Sequence, residues 1–139
     1  MIQLKAQELM TTEVVSVDKK TPIRDAAMKM AESDVGSVVV NDKDKLVGII
    51  TDRDITIRGV AENSDLNKIT CEDVMSTNVI TATSNTDMEE VIDLMSENQI
   101  KRVPIVDNNS VVGMISLRDI SQTIEWDDEA GEVLNDITD

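Results

Sequence analysis

The chain has 139 residues, 40% of them apolar, and sets 13 Lys and Arg against 28 Asp and Glu for a formal net charge of −15. Such a length suits one compact domain, and such a charge repels phosphate backbones and anionic lipid, which argues against direct nucleic-acid or membrane partners. With no His, Tyr or Phe and a single cysteine, Cys71, the commonest general base, the commonest transition-metal ligand, most aromatic stacking platforms and any internal disulfide are excluded.

The first residues, Met1 to Met10, carry Lys5 and Glu8 and have no apolar signal core. Apolar runs such as Leu46 to Ile50 fall far short of the roughly 20 residues that span a bilayer. The expectation is a cytoplasmic protein. The segment Met10-Thr11-Thr12-Glu13-Val14-Val15 reappears as Met75-Ser76-Thr77-Asn78-Val79-Ile80, an offset of 65. The same offset pairs Thr21 with Thr86, Met30 with Met95, Val38 with Val103, Gly48 with Gly113 and Arg53-Asp54-Ile55 with Arg118-Asp119-Ile120. A gapless register this long marks a duplication, and two copies are expected to pack face to face about a pseudo-twofold axis.

In the first copy, Val14 to Val17 predicts a strand. Thr21 and Pro22 then read as N-cap and first residue of a helix, with Ile23, Ala26, Ala27 and Met30 on one face. Val38 to Val40 and Leu46 to Ile50 predict a hairpin about Asp42-Lys43-Asp44-Lys45, and a second helix is expected from Asp52. In the second copy, Val79 to Ala82 predicts the strand and Thr86 with Glu89 a capping box opening the helix of Met88, Val91, Ile92 and Met95. Val103 to Val106 and Val111 to Ile115 then form the hairpin about Asp107-Asn108-Asn109-Ser110, with a helix from Leu117. Each copy thus reads β-α-β-β-α. The Met-rich stripes are core rather than a ligand box. Cys71 reads as an ordinary residue near a helix start. The predicted division is a first motif over 7–61, a linker over 62–71, a second motif over 72–124 and a tail over 125–139.

The densest chemistry lies in Gly48-Ile49-Ile50-Thr51-Asp52-Arg53-Asp54 and its mirror Gly113-Met114-Ile115-Ser116-Leu117-Arg118-Asp119. Each sets a hydroxyl at a strand end three residues before an Asp on the first turn of a helix. The hydroxyl and helix N–H groups suit a phosphate, and the Asp suits a ribose diol. The same residues suit a plain capping box, and duplication copies caps as readily as sites.

These paired motifs, with Ile100-Lys101-Arg102-Val103-Pro104-Ile105-Val106-Asp107, resemble the cystathionine β-synthase-type (CBS) domain pair from about Met10 to Ile124. The resemblance is to the small stand-alone bacterial or archaeal type. It implies an α/β fold of α+β type, two tandem CBS motifs, and a regulatory rather than enzymic module binding AMP, ADP, ATP or a related adenosyl ligand between the copies. No cofactor, catalytic residue or metal site is implied. By resemblance, one cleft uses Ser116 and Asp119 with Val15, Ser16 and Val38 lining the adenine, and the symmetric one uses Thr51 and Asp54 with Ile80, Thr81, Val103 and Pro104.

Gly36-Ser37 in the first copy stands opposite Lys101-Arg102 in the second, so charge favours the Ser116 site for phosphate. Arg53 and Arg118 serve either cleft or pair with surface carboxylates. Trp126, the lone aromatic residue, reads as an interface residue. Ala130, Val133, Leu134 and Ile137 recur at helical spacing, predicting an amphipathic tail helix that docks on a partner copy. A homodimer that signals a regulated protein is the leading expectation. The alternative is a structural dimerisation module with vestigial clefts.

Overall fold

A computed structural model of the chain describes residues 4–62 and 65–123. The elements in order are α1 (Ala6–Leu9), β1 (Ser16–Asp18), α2 (Ile23–Ser33), β2 (Ser37–Asp42), β3 (Lys45–Thr51), α3 (Asp52–Asp54) continuing as a π-helix over Ile55–Val60, α4 (Cys71–Val74), α5 (Met88–Asn98), β4 (Arg102–Asp107), β5 (Ser110–Ser116) and α6 (Leu117–Thr123). The 65-residue offset holds at element ends: α2 maps onto α5, β2 onto β4, β3 onto β5 and α1 onto α4. No helix among the described residues is long and apolar enough to cross a membrane.

Two compact units form, Val14–Val79 and a second made of Met1–Glu13 with Ile80–Asp139. In the Val14–Val79 unit the sheet order is β1-β2-β3, with β1 parallel and β3 antiparallel to β2. Its core gathers Val17, Ile23, Ala26, Met30, Val38, Val40, Ile50, Cys71 and Val74. In the other unit β4 and β5 pair antiparallel, and the core gathers Ala6, Leu9, Met88, Val91, Met95, Val103, Ile105, Ile115 and Ile120 among others. The methionine stripes are core, as their spacing predicts: Met88 and Met95 have no exposed surface.

Both hairpins turn through two residues of positive φ, Lys43 (51°) and Asp44 (68°), then Asn108 (52°) and Asn109 (68°). That is the combination whose twist matches the flanking strands, and asparagine and aspartate tolerate it best.

The short helices α1 and α4 carry no apolar period of their own, and each packs away from the motif that follows it. Ala6 N donates to Thr86 O (2.8 Å), Met88 N to Leu4 O (2.8 Å), and Lys5 Nζ meets Asp87 Oδ1 at 2.6 Å. In the other unit Cys71 N donates to Thr21 O (2.8 Å) and Ile23 N to Ile69 O (2.9 Å). Met10 lies against Gly113 and Met75 against Gly48, where any Cβ would collide with the methionine side chain. The glycines of the repeated motif are therefore sockets for the methionine that opens the other copy.

Three expectations need correction. The first long helix starts at Ile23 with Pro22 at the cap position and no side-chain cap, because Pro22 keeps an extended ψ of 143°. The predicted Thr86–Glu89 box does not form: α5 starts at Met88, and Thr86 Oγ1 accepts Thr83 N (2.9 Å) instead. The strand over Val79 to Ala82 shrinks to a single parallel bridge, Ala82 with Ile105. The cause is Pro104. Its counterpart Val39 donates to Val15 O (3.1 Å), and proline has no N–H to make that bond. The tail helix and Trp126 lie outside the described residues.

Candidate functional site

Each unit ends its hairpin in the same strand-to-helix turn. Thr51, extended at φ −111° and ψ 165°, accepts Asp54 N on Oγ1 (3.1 Å), while Thr51 N donates to Asp54 Oδ2 (3.0 Å). Ser116 and Asp119 repeat this, with Asp119 N to Ser116 Oγ at 3.0 Å and Ser116 N to Asp119 Oδ2 at 3.1 Å. The capping-box reading is thus realised in both units. It leaves chemistry to spare. The hydroxyl acts in the cap only as an acceptor, so its proton remains for another oxygen, and the cap occupies one carboxylate oxygen of two. All four side chains are half-buried.

The residues before β2 and β4 are tied to these turns through the backbone. Asp52 N donates to Gly36 O (3.0 Å), and Leu117 N to Lys101 O (2.8 Å). Register sets Ser37 opposite Thr51 and Arg102 opposite Ser116. Directly opposite residues share a face of the ladder, so Arg102 stands beside the Ser116 hydroxyl while Thr51 has only a serine there. Arg102 is half-buried; Lys101, Arg53 and Arg118 are exposed. The charge asymmetry read from sequence therefore belongs to the turn itself.

The expected adenine-lining residues divide. Val38 is 1% exposed and Val103 fully buried, each within the core of its own unit. They are β-branched residues on the inner face of a hairpin strand, where burial wins. Pro104 is also buried. Val15 and Ile80 are half-buried, Val15 against its unit's core. Ser16 and Thr81 line two repeat-related open pockets. One, of about 320 Å³, is formed by Ser16, Asp18, Thr21, Lys29, Asn41 and Lys43 among others. The other, of about 410 Å³, includes Thr81, Thr83, Thr86, Glu90, Leu94 and Asn108. Each sits by the hairpin tip, at the far end of the strands from Thr51 or Ser116.

Lys29, absent from the sequence expectations, borders the first pocket and donates Nζ to Ser16 O (2.8 Å). Its signal is the contrast with Leu94 at the repeat-related position. In the second pocket's unit, Ser84 N donates to Asp107 Oδ1 (3.1 Å), and hydrogen bonding from Ser84 holds the Asp107 carboxyl below its ordinary range. Cys71 opens α4 inside a core, and burial, aided by Asp18 and Asp25, pushes its thiol up to about 11. It is protonated at neutral pH and unsuited to nucleophilic work. Among the described residues no cluster of three or more His, Cys, Asp and Glu could hold a metal ion.

The sequence profile of the CBS domain matches residues 6–59 and 71–125. The CBS domain-containing protein YhcV of Bacillus subtilis is 35% identical over 132 residues, 95% of this chain and 94% of that protein. Among solved structures, the CBS domain protein TA0289 of Thermoplasma acidophilum matches with a TM-score of 0.82 at 25% identity, covering 97% of this chain and 76% of that one. The CBS domain pair of protein MJ0100, in complex with 5′-methylthioadenosine and S-adenosyl-L-methionine, matches with a TM-score of 0.76 at 31% identity, covering 86% of this chain and 94% of that one.

Proposed function

Since the chain belongs to the CBS domain family, we propose that it is a regulatory module that binds an adenosine-containing ligand at its strand-to-helix turns, works as a homodimer in the cytoplasm, and catalyses nothing itself. The observation that carries this reading is the repeated hydroxyl-and-carboxylate turn, whose cap leaves a proton and a carboxylate oxygen unspent. Asp119 accepts from the ribose diol, Ser116 donates to phosphate, and Arg102, with Lys101 and Arg118 near by, supplies positive charge. Thr51, Asp54 and Arg53 form the second, less cationic site. By the resemblance Val15 and Ile80 contribute walls, while Ser16 and Thr81 line the separate pockets by the hairpin tips. The adenosyl ligands of the MJ0100 pair support the ligand class. AMP, ADP or ATP is the finer choice, since phosphate would make use of Arg102. Binding would shift the balance between two shapes and so alter affinity for a regulated protein.

Calorimetry with AMP, ADP, ATP and S-adenosylmethionine tests the reading. At least one should bind more tightly than about millimolar, near −4 kcal/mol. If none does, the closed capping boxes stand as plain structure, and a dimerisation module with vestigial sites is the better account.

A further inference from the structure

The pocket of about 320 Å³ by the β2–β3 hairpin tip lies wholly within the Val14–Val79 unit and includes neither Thr51 nor Asp54. Its lining is charged in both signs: Lys29 comes from α2, Lys43 and Asp44 from the hairpin turn, and Asp18 from the end of β1. Asn41 of β2 joins them and carries the informative atom. Its Oδ1 is buried and meets no hydrogen-bond donor, the only such side-chain atom among the described residues. A buried acceptor left unpaired is destabilising, and folded chains keep few of them.

The repeat supplies the control. Sixty-five residues on, Asp18, Lys29, Asn41, Lys43 and Asp44 become Thr83, Leu94, Val106, Asn108 and Asn109, and all five line the related pocket. A cavity in the same place is thus built without the two ammoniums, the unpaired oxygen or these two carboxylates. Lys43 sits at φ 51°, where the equivalent Asn108 is at ease and lysine is not. Two of the charged groups are held in position with capacity left over. Lys29 Nζ uses one proton on Ser16 O (2.8 Å) and keeps two, and Asp18 Oδ2 accepts Lys20 N (2.8 Å), which leaves Oδ1. The neighbouring cations are already engaged, Lys19 with Asp42 and Lys20 with Glu72.

Two ammoniums and two carboxylates decide the class of ligand. A phosphate or dicarboxylate would bring charge of one sign to a lining that cancels, on a chain of net charge −15, and a simple amine would meet the lysines. A molecule with both signs on one small frame satisfies the whole lining. We propose that this pocket binds a small zwitterion of the free α-amino acid class, its carboxylate taken by Lys29 and Lys43 and its ammonium by Asn41 Oδ1 and Asp18. The volume lies at the low end for ligand pockets, which suits a single amino acid better than a nucleotide. The site is independent of the adenosyl ligand proposed above.

Calorimetry on the full chain with each of the standard L-amino acids tests this, with inorganic phosphate and glycerol as comparators. At least one amino acid should bind with a Kd below about 1 mM. Its decarboxylated amine and its α-hydroxy acid, each lacking one of the two charges, should both bind at least about tenfold more weakly. Lys29→Leu and Asn41→Val install the residues that the related pocket already carries. Each should weaken amino-acid binding about tenfold or more while far-ultraviolet dichroism and the response to adenosyl ligands stay as in the native chain. The proposal is overturned if no amino acid binds, or if phosphate or glycerol binds as tightly as the best amino acid. Binding that survives the loss of either charge on the ligand, or that either variant leaves intact, overturns it as well. The adenosyl reading stands or falls separately, by its own titration.

Discussion

Ser116 and Asp119 exchange hydrogen bonds in both directions, Asp119 N to Ser116 Oγ at 3.0 Å and Ser116 N to Asp119 Oδ2 at 3.1 Å. Two variants separate the structural from the binding use of this pair. Asp119→Ala should cost about 1 kcal/mol of stability through the lost cap and abolish ligand binding. Asp119→Asn keeps a carbonyl oxygen for Ser116 N, so stability should change by less than about 0.5 kcal/mol. It loses the charge and an acceptor, so adenosyl-ligand affinity should fall about tenfold or more. Denaturant melts and calorimetry on both variants check this.

The Met10 and Gly113 pair gives a second prediction. A Cβ on residue 113 would meet Met10 Sδ, Cγ and Cβ inside contact distance, so Gly113→Ala should destabilise by about 1–3 kcal/mol. Shortening the neighbour should restore part of the loss, so Gly113→Ala with Met10→Ala should be less destabilised than the two single changes summed. A urea double-mutant cycle measures the coupling.

Cys71 sets a pH dependence. Its thiol is raised from 9.0 to about 11 in the fold, so between those values the unfolded chain has lost a proton that the folded chain retains. Stability therefore falls as pH rises through this window, and the contribution is complete below pH 9. Cys71→Ala should show a shallower decline from pH 9 to 11 in denaturant melts. At pH 8 the native thiol should react with a disulfide reagent far more slowly than the urea-unfolded chain.

Gln99 ends α5 in the left-handed region at φ 52°, as Asp34 ends α2 at φ 54°. Glycine adopts this conformation without the Cβ penalty, so Gln99→Gly should raise stability by about 0.5–1 kcal/mol. The gain is read as a higher melting temperature with an unchanged denaturant slope.

What the sequence made legible is the repeat and nearly everything that follows from period. Hydrophobic spacing and turn residues placed α2, α5 and both hairpins to within a few residues. It misplaced starts where backbone partners decide them: Thr86 caps a turn at Thr83 rather than a helix, and Pro22 sits at a cap without a side-chain bond. It overestimated the strand after Val79 because the cost of Pro104 falls on the neighbouring strand, not on its own. At the candidate site, the hydroxyl and carboxylate pairs and the place of Arg102 were legible, since they follow from strand register. The deep burial of Val38 and Val103, named for a ligand wall by resemblance, was not legible. Which side of a β-branched run faces inward depends on what packs over it, and that includes α1 and α4, four-residue helices too short to leave a periodic trace.

The crossed placement of the first thirteen residues sets an order of events during synthesis. A chain released to residue 79 already holds every part of its Val14–Val79 unit, whereas Ala6, Leu9 and Met10 are made before that unit and find their own core only after Ile120 has followed. In the interval these apolar side chains await a partner not yet made, and the unit completed second is the one that needs the earlier residues.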